Sequence, residues 1–261
     1  MNILDKIIID KRQEVLLKKS IIPISQLENS VLFNRKTISL SANLKSSTSG
    51  IIAEHKRRSP SKAEINYNFT VEEVTKGYEM AGVCGISILT DGKYFGGSLD
   101  DLLLARASVN LPLLRKEFVI DEYQILEAKA FGADAILLIA AVLTRDEIKN
   151  LSQFAQTLHL EVLLEIHDEE ELNKAIMPSL NCIGVNNRSL KTFEVDIENS
   201  IKLATKIPNE FIKISESGIS SVGNVKELQN YGYQGFLIGE SFMKTTNAGL
   251  AAKEFIAEIN L

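Results

Sequence analysis

Cysteine is scarce in this 261-residue chain: there are two, Cys84 and Cys182. Both lie in apolar, strand-like stretches, with neither metal-ligand spacing nor a disulfide framework, so they read as buried thiols of a reducing compartment. Long hydrophobic runs are also missing. The longest apolar stretch, residues 135–143, is far too short to span a bilayer. The opening residues place Asp5 where a secretory signal needs net positive charge, and Asp10 and Lys11 interrupt the apolar run that follows. Positive charge is in deficit overall, with 29 Lys and Arg against 34 Asp and Glu and a formal net charge of −5. No global field therefore draws in nucleic acid, and an anionic ligand must be held by local cations and backbone donors. These absences point to a cytoplasmic protein with a small-molecule ligand and no membrane or nucleic-acid partner.

What is present is a repeat. From residue 50 onward, short runs rich in Ile, Val and Leu alternate with amphipathic helical stretches. The runs fall at 50–54, 85–90, 111–115, 135–139, 161–166, 182–185, 211–215 and 235–238. Helices are predicted at 71–80, 100–109, 123–131, 145–158, 169–175, 197–205, 222–231 and 249–259. Thr144 and Asp168 stand at N-cap positions, and Gly132 and Gly232 follow helix ends. Near-continuous hydrophobicity suits parallel strands covered on both faces. Eight such units predict a (β/α)8 TIM barrel. A doubly wound sheet would need a G-x-G-x-x-G turn after its first strand, and none is there. No linker divides the chain, so a single domain is expected: a barrel over 49–261 and an N-terminal helical extension over 1–48. In the extension Leu4, Ile7, Ile8, Val15 and Leu16 form a partly amphipathic face. No exposed apolar stripe demands a partner, and a monomer is expected.

Reactive groups of such barrels sit at the C-terminal ends of the strands. The first run ends in Glu54-His55-Lys56-Arg57-Arg58-Ser59-Pro60-Ser61-Lys62. Strand alternation puts Glu54 and Lys56 on the face of Ile52, and His55 on the other. The third run puts Leu114, Lys116 and Phe118 on one face, and the fifth ends with Glu165 on the face of Leu163. The sixth closes in Asn186-Asn187-Arg188, the seventh in Glu216-Ser217-Gly218. Any one of these residues is compatible with a solvated salt bridge. Five strands with one parity at one end favour a shared cavity in which lysines and glutamates do acid–base chemistry. Gly218 and Gly239, just past the seventh and eighth strands, suggest a phosphate cradle of backbone N–H groups, with Ser59 and Ser217 as added donors. Glu240 should then direct its carboxylate away and offer only its N–H.

These motifs resemble the indole-3-glycerol-phosphate synthase family. The resemblance rests on residues 52–62, Lys-Tyr-Phe-Gly-Gly-Ser at 93–98, Leu-Arg-Lys-Glu-Phe at 114–118, Glu-Ile-His at 165–167, Gly-Val-Asn-Asn-Arg at 184–188, Glu-Ser-Gly-Ile at 216–219 and Ile-Gly-Glu-Ser at 238–241. It implies a lyase of tryptophan biosynthesis that needs no cofactor or metal. Its substrate would be 1-(2-carboxyphenylamino)-1-deoxyribulose 5-phosphate. Carried over by position, Lys116 resembles the acid of the condensation and Glu165 the acid–base group of later steps. Lys56 resembles the contact to the substrate carboxylate and shares the proton transfers. Glu54, Asn186, Arg188 and Glu216 would position substrate and lysines. Ser59, Ser217, Gly218, Gly239 and Glu240 match the phosphate site, and Phe95, Phe118, Leu137 and Leu190 the apolar wall.

Two positions depart from the family pattern. Ala63 stands where glycine is usual, and Glu117 replaces the usual aspartate after the lysine. Another phosphate-binding barrel, such as phosphoribosylanthranilate isomerase or the tryptophan synthase α chain, would lack the Lys-Arg-Arg-Ser-Pro-Ser stretch, and an isomerase would not need the lysine pair. A non-catalytic barrel would show a broken acid–base set.

Overall fold

The computed structural model describes residues 2–189 and 193–261. Eight parallel strands pair in chain order: β1 (Ile51–His55), β2 (Gly85–Leu89), β3 (Leu113–Lys116), β4 (Ala135–Ile139), β5 (Glu161–Ile166), β6 (Cys182–Asn186), β7 (Ile212–Glu216) and β8 (Gly235–Ile238). β8 pairs back onto β1 and closes the barrel, as the repeat predicts. Three helices precede it: α1 (Ile3–Ile21), α2 (Ile24–Glu28) and α3 (Leu40–Ser46). Between and after the strands come α4 (Val71–Ala81), α5 (Gly92–Phe95), α6 (Leu99–Ser108), α7 (Glu122–Ala130), α8 (Arg145–Thr157), α9 (Glu169–Ala175), α10 (Glu198–Ala204), α11 (Val222–Asn230), α12 (Glu240–Met243) and α13 (Ala248–Ile259).

Local chemistry sets the ends of these elements. Thr144 and Glu147 form a reciprocal cap at the start of α8, and the Asp168 side chain accepts from the Glu171 N–H at the start of α9. Gly132 and Gly232 follow α7 and α11 with φ of +87° and +85°, where a side chain would strain the backbone. β3 starts at Leu113 rather than at residue 111. Pro112 has no N–H to give to the ladder, although its carbonyl accepts from Ile86. The short α5 was not predicted; it is nucleated by Asp91, whose carboxylate accepts from the N–H groups of Tyr94 and Phe95.

Strand alternation sorts the apolar residues into two concentric cores. Ile52, Leu114, Leu137, Leu163, Cys182, Ile214 and Leu237 fill the barrel. Their neighbours, among them Ala53, Ile86, Ile136, Leu164, Val185 and Phe236, face the helices. His55 falls on this outer side and is 1% exposed. Burial, with Arg57 nearby, pushes its pKa down to about 4, so the ring is neutral.

The N-terminal extension engages both ends of the barrel. α3 plugs the floor with Leu40 and Leu44, which belong to the inner core. The Leu40 side chain occupies the space a Cβ on Gly85 would need. α1 lies across the opposite end, and its buried stripe is Ile7, Lys11 and Val15, four residues apart. The lysine in that stripe is 2% exposed. Its ammonium sits 2.7 Å from Glu14, 2.9 Å from Asp91 and 3.0 Å from Glu117. Burial opposes the charge, but Glu117 and Asp91 outweigh it and hold the pKa well above the ordinary lysine value. Asp10 adds a contact to Lys93 at 2.7 Å and accepts from the Tyr94 hydroxyl.

The extension departs from the sequence expectation in one respect. Leu16 is 70% exposed, and Leu17, Ile21 and Ile24 are also exposed. The single face that α1 buries is taken by the stripe of Ile7, Lys11 and Val15, so Leu16 turns outward and an exposed apolar strip does exist. Among the described residues no helix is long and apolar enough to cross a membrane.

Lys11→Ala leaves Asp91 and Glu117 buried without their cation, and should lower stability by about 3 kcal/mol. Urea unfolding of the purified variant checks this, and an unchanged midpoint would mean that α1 docks without that contact.

Candidate active site

The inward-facing residues at the C-terminal strand ends meet in one cavity of about 370 Å³, within the usual range for small-molecule sites. From β1, Glu54 turns inward, and Lys56 follows with its ammonium 2.8 Å from a Glu54 oxygen. The Ser87 hydroxyl donates to the other Glu54 oxygen at 3.3 Å. At the end of β3, the Lys116 ammonium donates to Glu216 of β7 and lies 3.3 Å from Glu165 of β5. Asn186 of β6 hydrogen-bonds Glu165, and its side-chain oxygen accepts from the Arg188 N–H at 3.0 Å.

Two glycines make this convergence possible. β6 runs between β5 and β7, and Gly184 is in register with Glu165 on one side and Ile214 on the other. A Cβ on Gly184 would overlap the Glu216 carboxylate. A Cβ on Gly239 would come within 2.7 Å of Glu54. Each glycine leaves space that a glutamate side chain fills.

The charges in this dry cluster are unequal. Burial pushes the Glu216 carboxyl up to about 7; Lys116 acts against the shift and Glu165 reinforces it. For Glu165 burial also raises the pKa, but Lys116, His167 and Asn186 outweigh it, and the group stays below the usual carboxylate value. Burial works against the Lys116 charge, yet Glu216, Glu165 and Glu54 together hold its pKa above the ordinary range. Two carboxylates compete for one ammonium, and the more loosely charged is Glu216.

One wall of the cavity is apolar. Phe95 and Phe118 pack with ring centroids 5.9 Å apart, Leu137 lies beside them, and Ile3, Leu4 and Ile7 of α1 contribute the cover. Leu190, expected on this wall, lies outside the described residues. Towards the other end, Ser59, Ser217, Gly218, Gly239 and Glu240 all line the cavity. Ser217 has φ of +67°, a left-handed conformation that costs serine on the order of 1 kcal/mol, and the Asn187 amide holds its carbonyl at 3.1 Å. The Glu240 carboxylate pairs with Lys62 at 2.9 Å on the rim. Arg188 also stays at the mouth, its guanidinium donating to the Phe193 carbonyl at 3.1 Å.

The sequence model of the family described as indole-3-glycerol phosphate synthase matches residues 4–255. A curated indole-3-glycerol phosphate synthase from Bacteroides thetaiotaomicron is 49% identical over 258 residues, covering 99% of each chain. Another from Polaromonas naphthalenivorans is 39% identical, covering 98% of this chain and 99% of its own. This chain belongs to the indole-3-glycerol phosphate synthase family. Solved structures share the fold more distantly. The tryptophan synthase α subunit of Legionella pneumophila superposes with a TM-score of 0.60 at 13% identity, covering 85% of this chain and 98% of its own. For 3-hexulose-6-phosphate synthase of Salmonella typhimurium the TM-score is 0.64 at 12% identity, with 81% and 98% covered. Identities this low speak for the fold alone.

Both departures from the usual synthase pattern are accommodated. Glu117 sits 3.0 Å from Lys11, accepts from the Thr90 hydroxyl at 2.8 Å and faces Arg115 at 3.6 Å, so the longer acid reaches partners on α1, on β3 and just past β2. Ala63 has no positive φ, and the turn before it is closed by two backbone bonds between Ser59 and Lys62. Among the residues not foreseen at the site are Ile3, Ile7 and Lys244 of the lining and Gly184 behind it. Gly184 carried a legible signal, a glycine at inward parity within an otherwise bulky strand. Lys244, a surface lysine after α12, carried none.

A buried carboxyl raised to about 7 has a consequence for stability. Between its ordinary value of 4.5 and about 7, folded Glu216 keeps a proton that the unfolded chain has released. Stability from this group is therefore complete below the lower limit and lost as pH rises through the upper one. Urea midpoints measured across this window should fall with rising pH in the wild type and less steeply in Glu216→Gln; equal slopes would contradict the shift.

Proposed function

We propose that Lys116, Glu165 and Lys56 carry the acid–base chemistry of indole-3-glycerol phosphate synthesis in this chain. The reaction joins the aromatic carbon bearing the carboxylate to the sugar ketone of 1-(2-carboxyphenylamino)-1-deoxyribulose 5-phosphate. CO2 then leaves, and loss of water gives indole-3-glycerol phosphate. The observation that carries the assignment is the Lys116 ammonium, fixed between Glu165 and Glu216 at the floor of a cavity with one apolar side and one side rich in hydroxyls and glycines.

Each demand of the reaction meets a group of suited chemistry. The ketone oxygen gains negative charge as the ring closes, and a nearly dry, protonated ammonium stabilises it and hands over a proton. Lys56 is the second cation and takes the substrate carboxylate, with Glu54 steadying it. Phe95, Phe118 and Leu137 hold the aromatic ring over the sugar, and Leu190 is assigned to the same wall; keeping the two reacting carbons together is a proximity effect. The phosphate lies at Ser59, Ser217, Gly218 and the backbone of Gly239 and Glu240. After CO2 departs, Glu165 takes a proton from the sugar carbon bonded to nitrogen and assists loss of the hydroxyl. Asn186 and Glu216 keep Glu165 and Lys116 in place, and Arg188 guards the mouth.

The working unit of this reading is a cytoplasmic monomer with one domain. Sedimentation at the mass of a single chain checks this, and a stable dimer would redirect attention to the exposed strip of α1. The chemistry is tested by incubating the protein with the carboxyphenylamino sugar phosphate and following indole fluorescence. Lys116→Ala should lower kcat by about 100-fold or more with an unchanged circular dichroism spectrum. Near-wild-type turnover in that variant would refute the acid assignment.

A further inference from the structure

The proton balance of the reaction raises a question that Lys116, Glu165 and Lys56 do not answer by themselves. Near neutrality the substrate enters as a carboxylate. One proton goes to the ketone oxygen, a second to the departing hydroxyl, and one returns from the sugar carbon. CO2 carries none away. Each turnover therefore consumes one proton net, and the buried cluster must be recharged from solvent.

His167 is placed to do this. It follows β5 on the same side as Glu165, and its Nε2 lies 3.8 Å from the Glu165 Oε1 atom. That Nε2 is buried and has no hydrogen-bond partner within the protein. On the other side of the ring, Nδ1 is 3.3 Å from Glu171, which also accepts from the His167 backbone N–H at 2.7 Å. The Asn199 amide holds the His167 carbonyl at 2.9 Å. The His167 and Glu171 side chains reach solvent, 13% and 16% exposed. A row of ionisable groups thus leads from solvent at Glu171 through His167 and Glu165 to Lys116, across β5 and α9, and its one open link is the 3.8 Å between Nε2 and Oε1.

We propose that His167 relays a solvent proton to Glu165, and through it to Lys116, once per turnover. The Nε2–H bond breaks as the Glu165 Oε1–H bond forms, and the electron pair stays on the imidazole. The neutral ring keeps Nδ1–H on Glu171; because Nε2 is buried at rest, the ring turns about its Cβ–Cγ bond to bring that nitrogen to solvent, takes up a proton there and turns back. Once Lys116 has given its proton to the substrate, the Glu165 carboxyl rotates to present its O–H to the lysine nitrogen, which lies 3.3 Å from Oε2. The charged groups facing the ring are Glu165 from β5, Glu171 from α9 and Glu216 from β7, with Lys116 beyond Glu165. Burial alone would discharge the ring, but the Glu171 hydrogen bond and these carboxylates outweigh it and raise the pKa above the ordinary imidazole value.

The relay rests on the roles given to Glu165 and Lys116, and its test separates the two claims. In His167→Ala, kcat should fall by about tenfold or more with KM within about twofold of wild type. Added imidazole should restore kcat in a saturable manner and leave the wild type unaffected, which a packing defect would not show. In Glu171→Gln the ring survives but loses a neighbouring charge, so the alkaline limb of the kcat–pH profile should move to lower pH. Wild-type kcat in His167→Ala, a loss that imidazole does not restore, or an unmoved alkaline limb in Glu171→Gln overturns the relay. Any of these with an active wild type and an inactive Lys116→Ala leaves the reaction assignment standing. A wild type without activity removes the reaction assignment itself.

Discussion

The Lys116 ammonium, held in a nearly dry site between two carboxylates, constrains everything built at this end of the barrel. An ammonium there is tolerable only with close counter-charges, and two glutamates can approach it from neighbouring sides only if the intervening strand yields space. Gly184 supplies that space. The same competition leaves Glu216 as the weaker acid and Glu165 as the firmer anion, so two chemically identical side chains acquire different protonation tendencies. Gly239 repeats the device for Glu54, and Lys56 is steadied as a second, separate cation.

The N-terminal extension ties the catalytic end to the rest of the molecule. Lys11 reaches from α1 to Glu117, the residue immediately after Lys116, and to Asp91, the cap of α5 that carries Phe95. Alternation sends Glu117 outward as Lys116 goes inward, so one buried charge cluster lies back to back with the other. Residues 3, 4 and 7 of the same helix cover the cavity while α3 plugs the floor. The segment before the barrel is therefore part of both the core and the site, and its exposed leucines are the remainder of a helix with only one face to bury.

Much of the site was legible because period-two alternation and strand ends are written in residue order. Glu54, Lys56, Lys116, Glu165 and Glu216 follow from four short runs and one parity. His55 followed from the same rule with the opposite outcome. The illegible parts depend on distance across the fold. Lys11 sits in a helical stripe where a lysine ordinarily marks the wet face, and its counter-ions are about 80 and 106 residues away in the chain. Leu16 looked buried because its helix is apolar on more than one side. Glu240 could be expected to avoid the cradle, but its partner on the rim, Lys62, is apparent only once β1 and β8 are neighbours. His167 was noticed only as part of a motif; its place between Glu165 and Glu171 is a matter of how β5 leads into α9.

The sequence by itself determined the barrel, the order of its strands and which strand-end side chains face inward. Those properties depend on local periodicity, capping residues and the pleat, all short-range in the chain. Only the tertiary structure decided which charges pair, which glutamate stays anionic and which is raised towards neutrality, and which end of the barrel each N-terminal helix closes. Pairing energies and desolvation depend on separations of a few ångströms between residues far apart in sequence, and closure of the barrel is what sets those separations.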